Sequence, residues 1–366
     1  MAETVNIKRG IKILIISLKG IGDTVHALPM LKVLTAKYPE AEITVIVPNA
    51  ACRALLGTVK SIKNILVIDY TKPSGIIGHL VTLLKLRFKK FDFSITTFPS
   101  NRIWYNIFAF AVGAKKRITH AYPAGRLKTL AFLQNIKVPA DPSLHTVEQN
   151  MNLLAAMGIS SAEIKPFAPC LTLPPEDESF ARQYLEDKKI SGQCPLVGLH
   201  PSFVPGTVYK AWSSDNIEVF ALLADWLHDN YNAQVMIFGS SDEGDAVRKI
   251  HIMSKYKPLT PVLDILKVAA LIKRCKLFIN TDSGLGHIAA ALGIPTITIF
   301  GPANPAMTKP YCGNNILIKK NLPCSPCYDY PYYCCKPDVK CGKFLCFSKM
   351  DIDEIKDAVR KQIGAA

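Results

Sequence analysis

A chain of 366 residues is long for one compact core and points to two domains. Hydrophobic residues make up 49% and charged residues 20%, a balance that excludes an intrinsically disordered chain. The formal net charge is +15 and is unevenly spread: residues 1–150 hold 21 basic against 8 acidic side chains, the remainder 23 against 21, so an anionic partner is expected on the first half.

The first predicted element is a strand over 11–18. The polar MAETVNIKRG before it and the shortness of the apolar run argue against a signal peptide. The strand ends in KGIGDTVHALP, 19–29. Gly20 and Gly22 supply G-x-G, but the third glycine of a dinucleotide fingerprint would fall on Val25, and Asp23 would repel a phosphate. Asp23 has two compatible readings: a cap for a helix over 24–38, or a general base where Gly20 and Gly22 let a substrate approach the backbone. His26 lies one turn on and reads as a helix-face or substrate-contacting residue, since no second metal ligand stands at suitable spacing. Strands over 42–47, 65–69 and 92–97 and a helix over 76–90 follow, then a basic stretch with Lys115, Lys116, Arg117, Arg126 and Lys128.

Between about 160 and 195 the alternation pauses in KPFAPCLTLPPEDESF, rich in proline and acid, which sets domains at 1–175 and 190–348. The second half repeats the pattern with strands over 196–200, 234–239, 277–280 and 296–300 and helices over 213–231, 242–256 and 284–292. Alternating elements with runs apolar on both faces mean an α/β fold of parallel sheets covered on both sides. A last helix over 351–363 is expected to pack back on the first half. The stretch Ser283–Thr308 has no charged residue and is long enough to cross a bilayer, but glycines and prolines break it into helix, turn and strand. A soluble cytoplasmic protein is the expectation.

Three loops of the second half carry candidate chemistry. In LHPSFVPGTVYKAW, Lys210 is a mobile cation able to meet a phosphate leaving group, although loop lysines are usually just solvated. In FGSSDEGDA, Asp242 or Glu243 can accept both hydroxyls of a ribose, and both are equally good acids for a helix N-terminus. In INTDSGLGHIAAALGIPTITIFGP, Thr281, Asp282, Ser283, Gly284 and His287 surround a helix start whose free N–H groups suit a pyrophosphate. A packing turn capped by Asp282 would explain the glycines and leave the polar cluster unexplained. Six of eleven cysteines crowd into 324–346: Cys324, Cys327, Cys334, Cys335, Cys341 and Cys346 have spacing able to hold zinc or iron, or form a reduced packed cluster.

Taken together, SLKGIGDTVHALPMLKVL, HPSFVPGTVYKAW, FGSSDEG, NTDSGLGHIAAALGIPTITIFGPANP and CSPC resemble, in order and over nearly the whole chain, the family 9 heptosyltransferases of lipopolysaccharide inner-core assembly. The resemblance implies a GT-B fold, two Rossmann-like domains facing across a cleft, with acceptor bound by the first and ADP-heptose by the second. It implies Asp23 as general base of a metal-independent inverting displacement. Lys210 and the turn residues Asp282, Ser283, Gly284 and His287 would meet the donor phosphates, and Asp242 or Glu243 the ribose. The loop between His200 and Lys210 is longer than in the family. Gly20, Gly22, His26, Lys116, Arg117 and Arg126 are assigned to an anionic lipid acceptor at the inner-membrane surface, where the protein would sit peripherally. Protein-modifying relatives carry an iron-binding finger like the cysteine segment, so a structural zinc or iron is one implied alternative. Transfer to a protein hydroxyl or from another nucleotide sugar is a second transferase reading. A dinucleotide-dependent oxidoreductase is disfavoured by the broken fingerprint, and no nucleic-acid partner is expected without an aromatic-rich RNP-like stretch.

Overall fold

A computed structural model describes residues 10–69, 76–122, 129–160, 162–164, 168–190, 192, 194–202, 215–327, 345–346 and 351–364. The chain divides into two compact units, Met1–Cys170 and Leu171–Ala366. The first contains β1 (Lys12–Ile16), α1 (Ile21–Lys37), β2 (Glu42–Val47), α2 (Ala50–Gly57), β3 (Asn64–Val67), α3 (Ile76–Phe88), β4 (Phe93–Thr96), α4 (Ile103–Val112), β5 (Lys116–Ala121), β6 (Ile136–Pro139) and α5 (Thr146–Asn152). Its six strands form a parallel sheet in the order β3-β2-β1-β4-β5-β6. Ile13, Leu14, Ile15 and Ile16 are all buried, as a β-branched strand covered on both faces must be. Strands β5 and β6 were not expected from the sequence. The first opens on Lys116 and Arg117 and the second ends in Pro139, so neither shows an uninterrupted apolar run.

The second unit contains α6 (Pro175–Asp187), β7 (Leu196–His200), α7 (Asp215–Tyr231), β8 (Gln234–Ile237), α8 (Gly244–Met253), α9 (Ile265–Ile272), β9 (Leu277–Thr281), α10 (Gly284–Ala291), β10 (Thr296–Phe300), α11 (Pro305–Thr308), β11 (Asn315–Lys319) and α12 (Ile352–Gly364). Its parallel sheet runs β11-β10-β9-β7-β8. The acidic stretch taken for a pause holds α6, with Pro175 at its start and three acids in its first turn. That helix belongs to the second unit: the Leu171 N–H donates to Ala291 O at 3.0 Å, Lys273 pairs with Glu178, and Lys267 lies over the Phe180 ring. The boundary therefore falls slightly before the expected 175.

The last helix also departs from expectation. Ile355, Ala358 and Val359 of α12 join Val197, Phe220, Ile297 and Ile318 in the core of the second unit, which takes up its apolar stripe. Both sheets reverse direction internally. From β1 the chain builds β2 and β3 on one side and then returns to place β4 on the other; from β7 it builds β8 and then returns to β9. In open parallel sheets such reversal points, at the carboxyl ends of the strands, are where helices part and leave a crevice for ligands.

Candidate functional site

In the first unit the reversal point lies between β1 and β4, and the turn 17–20 leaves β1 there. The helix begins at Ile21, earlier than expected, so Asp23 sits inside the first turn of α1 and does not cap it. Gly20 is the capping residue and makes no side-chain bond. Its φ of −72° is open to any residue, and a Cβ built on it would meet nothing within 4 Å, so the glycine leaves clear space above the helix N-terminus. Asp23 is half-buried. A carboxylate at that position lies among the first-turn N–H groups of α1, at the positive end of the helix dipole.

Lys19 was not singled out in the sequence, where it reads as one more lysine of a basic half. Burial lowers its ammonium pKa from 10.5 to about 8, the Asp23 carboxylate partly restores it, and Arg102 lowers it further. Its Nζ lies 5.7 Å from the centroid of the Tyr105 ring, whose hydroxyl donates to Leu18 O at 2.9 Å. The signal that would have found Lys19 is its place: the charged residue that ends an otherwise apolar strand run.

His26 does not reach this turn. It is 3% exposed, its ring packs edge-on against His145 at 5.0 Å, and its carbonyl accepts from Asn150 Nδ2. The helical period turns position 26 toward α5, so the assignment to an acceptor is withdrawn. Lys116 and Arg117 fail for a different reason. They begin β5, paired in register with the start of β4, so they lie at the amino edge of the sheet, a strand length of roughly 15 Å or more from the carboxyl edge that carries Asp23. Arg117 is also engaged by Ala114 O and Leu133 O. Arg126 lies outside the described residues, as does Lys210.

In the second unit the reversal point lies between β7 and β9, and the polar side chains converge there. His200 ends β7, and its Nδ1 is 2.8 Å from the hydroxyl of Ser283 after β9. On its other side, Nε2 is 3.6 Å from Glu243 Oε2, after β8. That same oxygen accepts from Ser240 N–H at 2.7 Å and Ser240 Oγ at 2.9 Å. Burial pushes the Glu243 carboxyl up, but His200 and Ser240 outweigh it and hold it below the usual carboxylate range. Its other oxygen, Oε1, is buried without a hydrogen-bond partner. Asp242 beside it is exposed. Of the two acids, Glu243 is thus the one aimed into the site.

Ser283, not Asp282, is the N-cap of α10, and because its hydroxyl is turned to His200 it makes no capping bond to the helix. The first N–H groups of α10 therefore have no side-chain cap from this residue. Thr281 is buried and donates to Pro201 O at 3.2 Å, while Asp282 stands 4.0 Å from His287 in the first turn of α10. Gly286 has a packing reason: a Cβ there would fall 2.1 Å from Asn280 Nδ2, so the glycine lets α10 settle against β9. His200, which ties three strand ends together, is the second residue the sequence reading passed over. It stood in a quoted motif without a role.

Of the cysteine segment, Cys324, Cys327 and Cys346 are described, the first half-buried and the others buried; Cys334, Cys335 and Cys341 lie outside the described residues. Among the described residues no three metal-ligating side chains come together. No helix among them is long and apolar enough to cross a membrane.

The sequence model of glycosyltransferase family 9 (heptosyltransferase) matches residues 84–334. The chain belongs to glycosyltransferase family 9. It is accordingly a glycosyltransferase, and the oxidoreductase reading falls. Among family 9 relatives, the lipopolysaccharide core heptosyltransferase OpsX of Haemophilus influenzae is 29% identical over 82% of this chain and 82% of its own length. A solved family 9 glycosyl transferase from Veillonella parvula superposes with a TM-score of 0.80 at 19% identity, covering 97% of this chain and 98% of that one. The structure of Escherichia coli ADP-heptose lps heptosyltransferase II gives a TM-score of 0.73 at 20% identity over 97% and 99% of the two chains. These likenesses establish the fold as the paired parallel-sheet α/β architecture of that group.

Proposed function

We propose that this enzyme transfers heptose from ADP-heptose to an inner-core lipopolysaccharide acceptor by a single inverting displacement. The observation that carries the donor half is the orphaned, buried Oε1 of Glu243, fixed by His200 and Ser240 within reach of an uncapped helix start. A buried carboxylate oxygen without a donor is costly until a ligand hydroxyl fills it, and the ribose of a nucleotide supplies two. The N–H groups at the start of α10 suit the diphosphate. Lys210 would add a cation as charge develops on the leaving ADP.

Asp23 acts as general base, taking the proton of the acceptor hydroxyl as that oxygen attacks the anomeric carbon and the bond to ADP breaks. Gly20 gives the acceptor room, and the Lys19 ammonium beside Asp23 offers a charge to an anionic group on it. The transfer needs no metal in this scheme. Thiols are soft donors suited to zinc or iron, and an ion held by Cys324 and Cys327 with two of Cys334, Cys335, Cys341 and Cys346 would brace the segment away from the transfer. The protein would work at the cytoplasmic face of the inner membrane.

The test is ADP release from ADP-heptose by wild-type and Asp23→Ala protein, with Kdo-lipid A or heptosylated core as acceptor. Acceptor-dependent release by the wild type, reduced about 10²- to 10⁴-fold in a folded variant that still binds ADP, is the expected result. ADP binding without turnover on either acceptor would keep the donor site and overturn the acceptor, and a protein hydroxyl would be tried next.

A further inference from the structure

Helices α3 and α4 cover the same face of the first sheet. Leu86 of α3 and Tyr105, Ala109 and Val112 of α4 enter one core cluster with Leu14 and Ile16 of β1, and Arg87 Nη1 donates to Ala111 O at 2.9 Å, joining the two helices near their carboxyl ends. With those residues turned inward, the opposite sides of both helices should be polar. They are not. On α3, Val81, Leu84 and Phe88 are 44%, 54% and 79% exposed; on α4, Trp104, Ile107 and Phe110 are 68%, 36% and 49% exposed. The spacing of three and four residues puts each trio on one outward stripe. Phe132, in a turn beside α4, is also exposed. Single exposed apolar residues are ordinary, but two adjacent stripes that, with Phe132, hold a tryptophan and three phenylalanines form a patch that calls for an occupant.

The charge around the patch says which. Between Val81 and Arg117 the sequence holds eight basic residues and one acid, Asp92, which is itself bonded to Lys115. Lys85, Arg87 and Lys90 lie exposed at the carboxyl end of α3, and the Arg117 guanidinium lies 5.5 Å from the centroid of the Phe110 ring. This is where Arg117, displaced from the acceptor site, finds its setting. A second copy of the chain docked on the same patch would set one basic rim against another. Exposed Trp and Phe interleaved with Lys and Arg fit a surface that is apolar beneath and anionic on top.

We propose that the outward faces of α3 and α4 dock the first unit onto an anionic lipid bilayer. The aromatic side chains enter the headgroup boundary and the lysines and arginines meet lipid phosphates. Trp104 lies two residues from Arg102, whose charge is felt by Lys19 beside Asp23, so the docked face borders the turn that carries the base. That last point rests on the transferase reading; the docking itself does not.

The test therefore contains no sugar substrate. The full chain is sedimented with vesicles of phosphatidylethanolamine and phosphatidylglycerol, and with phosphatidylcholine alone, at low and physiological salt. Tighter binding to the anionic vesicles by tenfold or more, weakened by salt, is expected. Phe88→Ser combined with Trp104→Ser should lose at least tenfold, and Lys85→Gln with Lys90→Gln roughly fivefold per charge removed. Ile252→Ser with Val262→Ser, exposed apolar positions of the second unit, should change nothing. Hydrogen exchange on the wild-type chain guards against a variant that fails to fold: anionic vesicles should slow exchange in 81–88 and 103–112. Equal binding to both vesicle types, protection confined to other segments, or a patch-dependent dimer in solution without vesicle binding would overturn the proposal.

Discussion

The two strand-end turns, after β1 in the first unit and around β7 and β9 in the second, occupy equivalent reversal points of two parallel sheets and are built in opposite ways. In the second, Ser283, His200, Glu243 and Ser240 bind one another, and a single carboxylate oxygen is left over. In the first, Asp23 rests on an open helix start beside a lysine whose charge is weakened by burial. A binding site gains from groups fixed before the ligand arrives, because ordering them is then no part of the binding cost. A site of proton transfer gains from a carboxylate left accessible with neighbours that tune its charge.

The largest effect that would break this comparison is expected at Glu243. Glu243→Gln keeps the shape and removes the charge that faces His200 and, on the proposed reading, the ribose. Loss of a hydrogen bond to a charged group is worth about 1.5–3 kcal/mol, so the ADP dissociation constant should rise roughly ten- to hundredfold by calorimetry. Asp242→Asn should leave it unchanged, since that side chain is exposed. Equal losses in the two variants would mean that the burial of Glu243 is mere packing.

Much of this was legible beforehand, and the omissions have physical causes. Alternating apolar runs marked eight of the eleven strands seen among the described residues, because parallel strands buried on both faces cannot hide their composition. The D-S-G turn and the G-x-G-D turn were found because strand ends and small residues are local signals. Choosing Glu243 over Asp242 was not possible from the chain, since adjacent acids differ only in which way a turn points them. Lys116 and Arg117 were misplaced because charge counting does not tell the amino edge of a sheet from its carboxyl edge. The fate of α12 depended on a core assembled from β10, β11 and α7, distant in sequence.

The next effect separates the two units by pH. His120 of the first unit is fully buried, with Nε2 against Gln149 O and Nδ1 lacking a partner, and burial lowers its pKa from 6.5 to about 3. Between those values the unfolded chain binds a proton that the folded one refuses. The stability it contributes is thus present above about 6.5 and is lost as pH falls toward 3, with a slope of up to about 1.4 kcal/mol per pH unit. Denaturant unfolding from pH 7 to 4 should show the loss, and His120→Gln should flatten it. His200→Gln of the second unit instead removes a group that holds the Glu243 carboxyl low, so its effect on the slope should fall in the lower, carboxylate range of pH.

Lys19 gives a smaller, kinetic signature. Its positive charge is present below pH 8 and lost as pH rises through that value, the reverse of an ordinary lysine that would stay charged to beyond 10. If the ammonium meets an anionic acceptor, the acceptor KM should climb a few-fold from pH 7.5 to 9 while donor affinity holds. Lys19→Gln should start at the higher KM and show no such climb. A wild-type KM flat across the range would remove Lys19 from acceptor recognition.

The smallest effect rests on two glycines that the sequence presents alike. Gly286→Ala would drive a methyl group into Asn280, whose side chain lies against the backbone of α10 and is fully buried, so overpacking should cost about 1–3 kcal/mol in denaturant unfolding. Gly20→Ala meets empty space at a φ that alanine adopts freely, and it should cost less than about 1 kcal/mol, the penalty of a poorer N-cap. Its consequence should appear instead as slower transfer, because the methyl group would occupy the clearance over the helix start that an approaching hydroxyl needs to reach Asp23. If Gly20→Ala lowered stability as much as Gly286→Ala and left transfer untouched, the first turn would be a packing turn like the second, and the division between a fixed binding site and an open reactive one would fail.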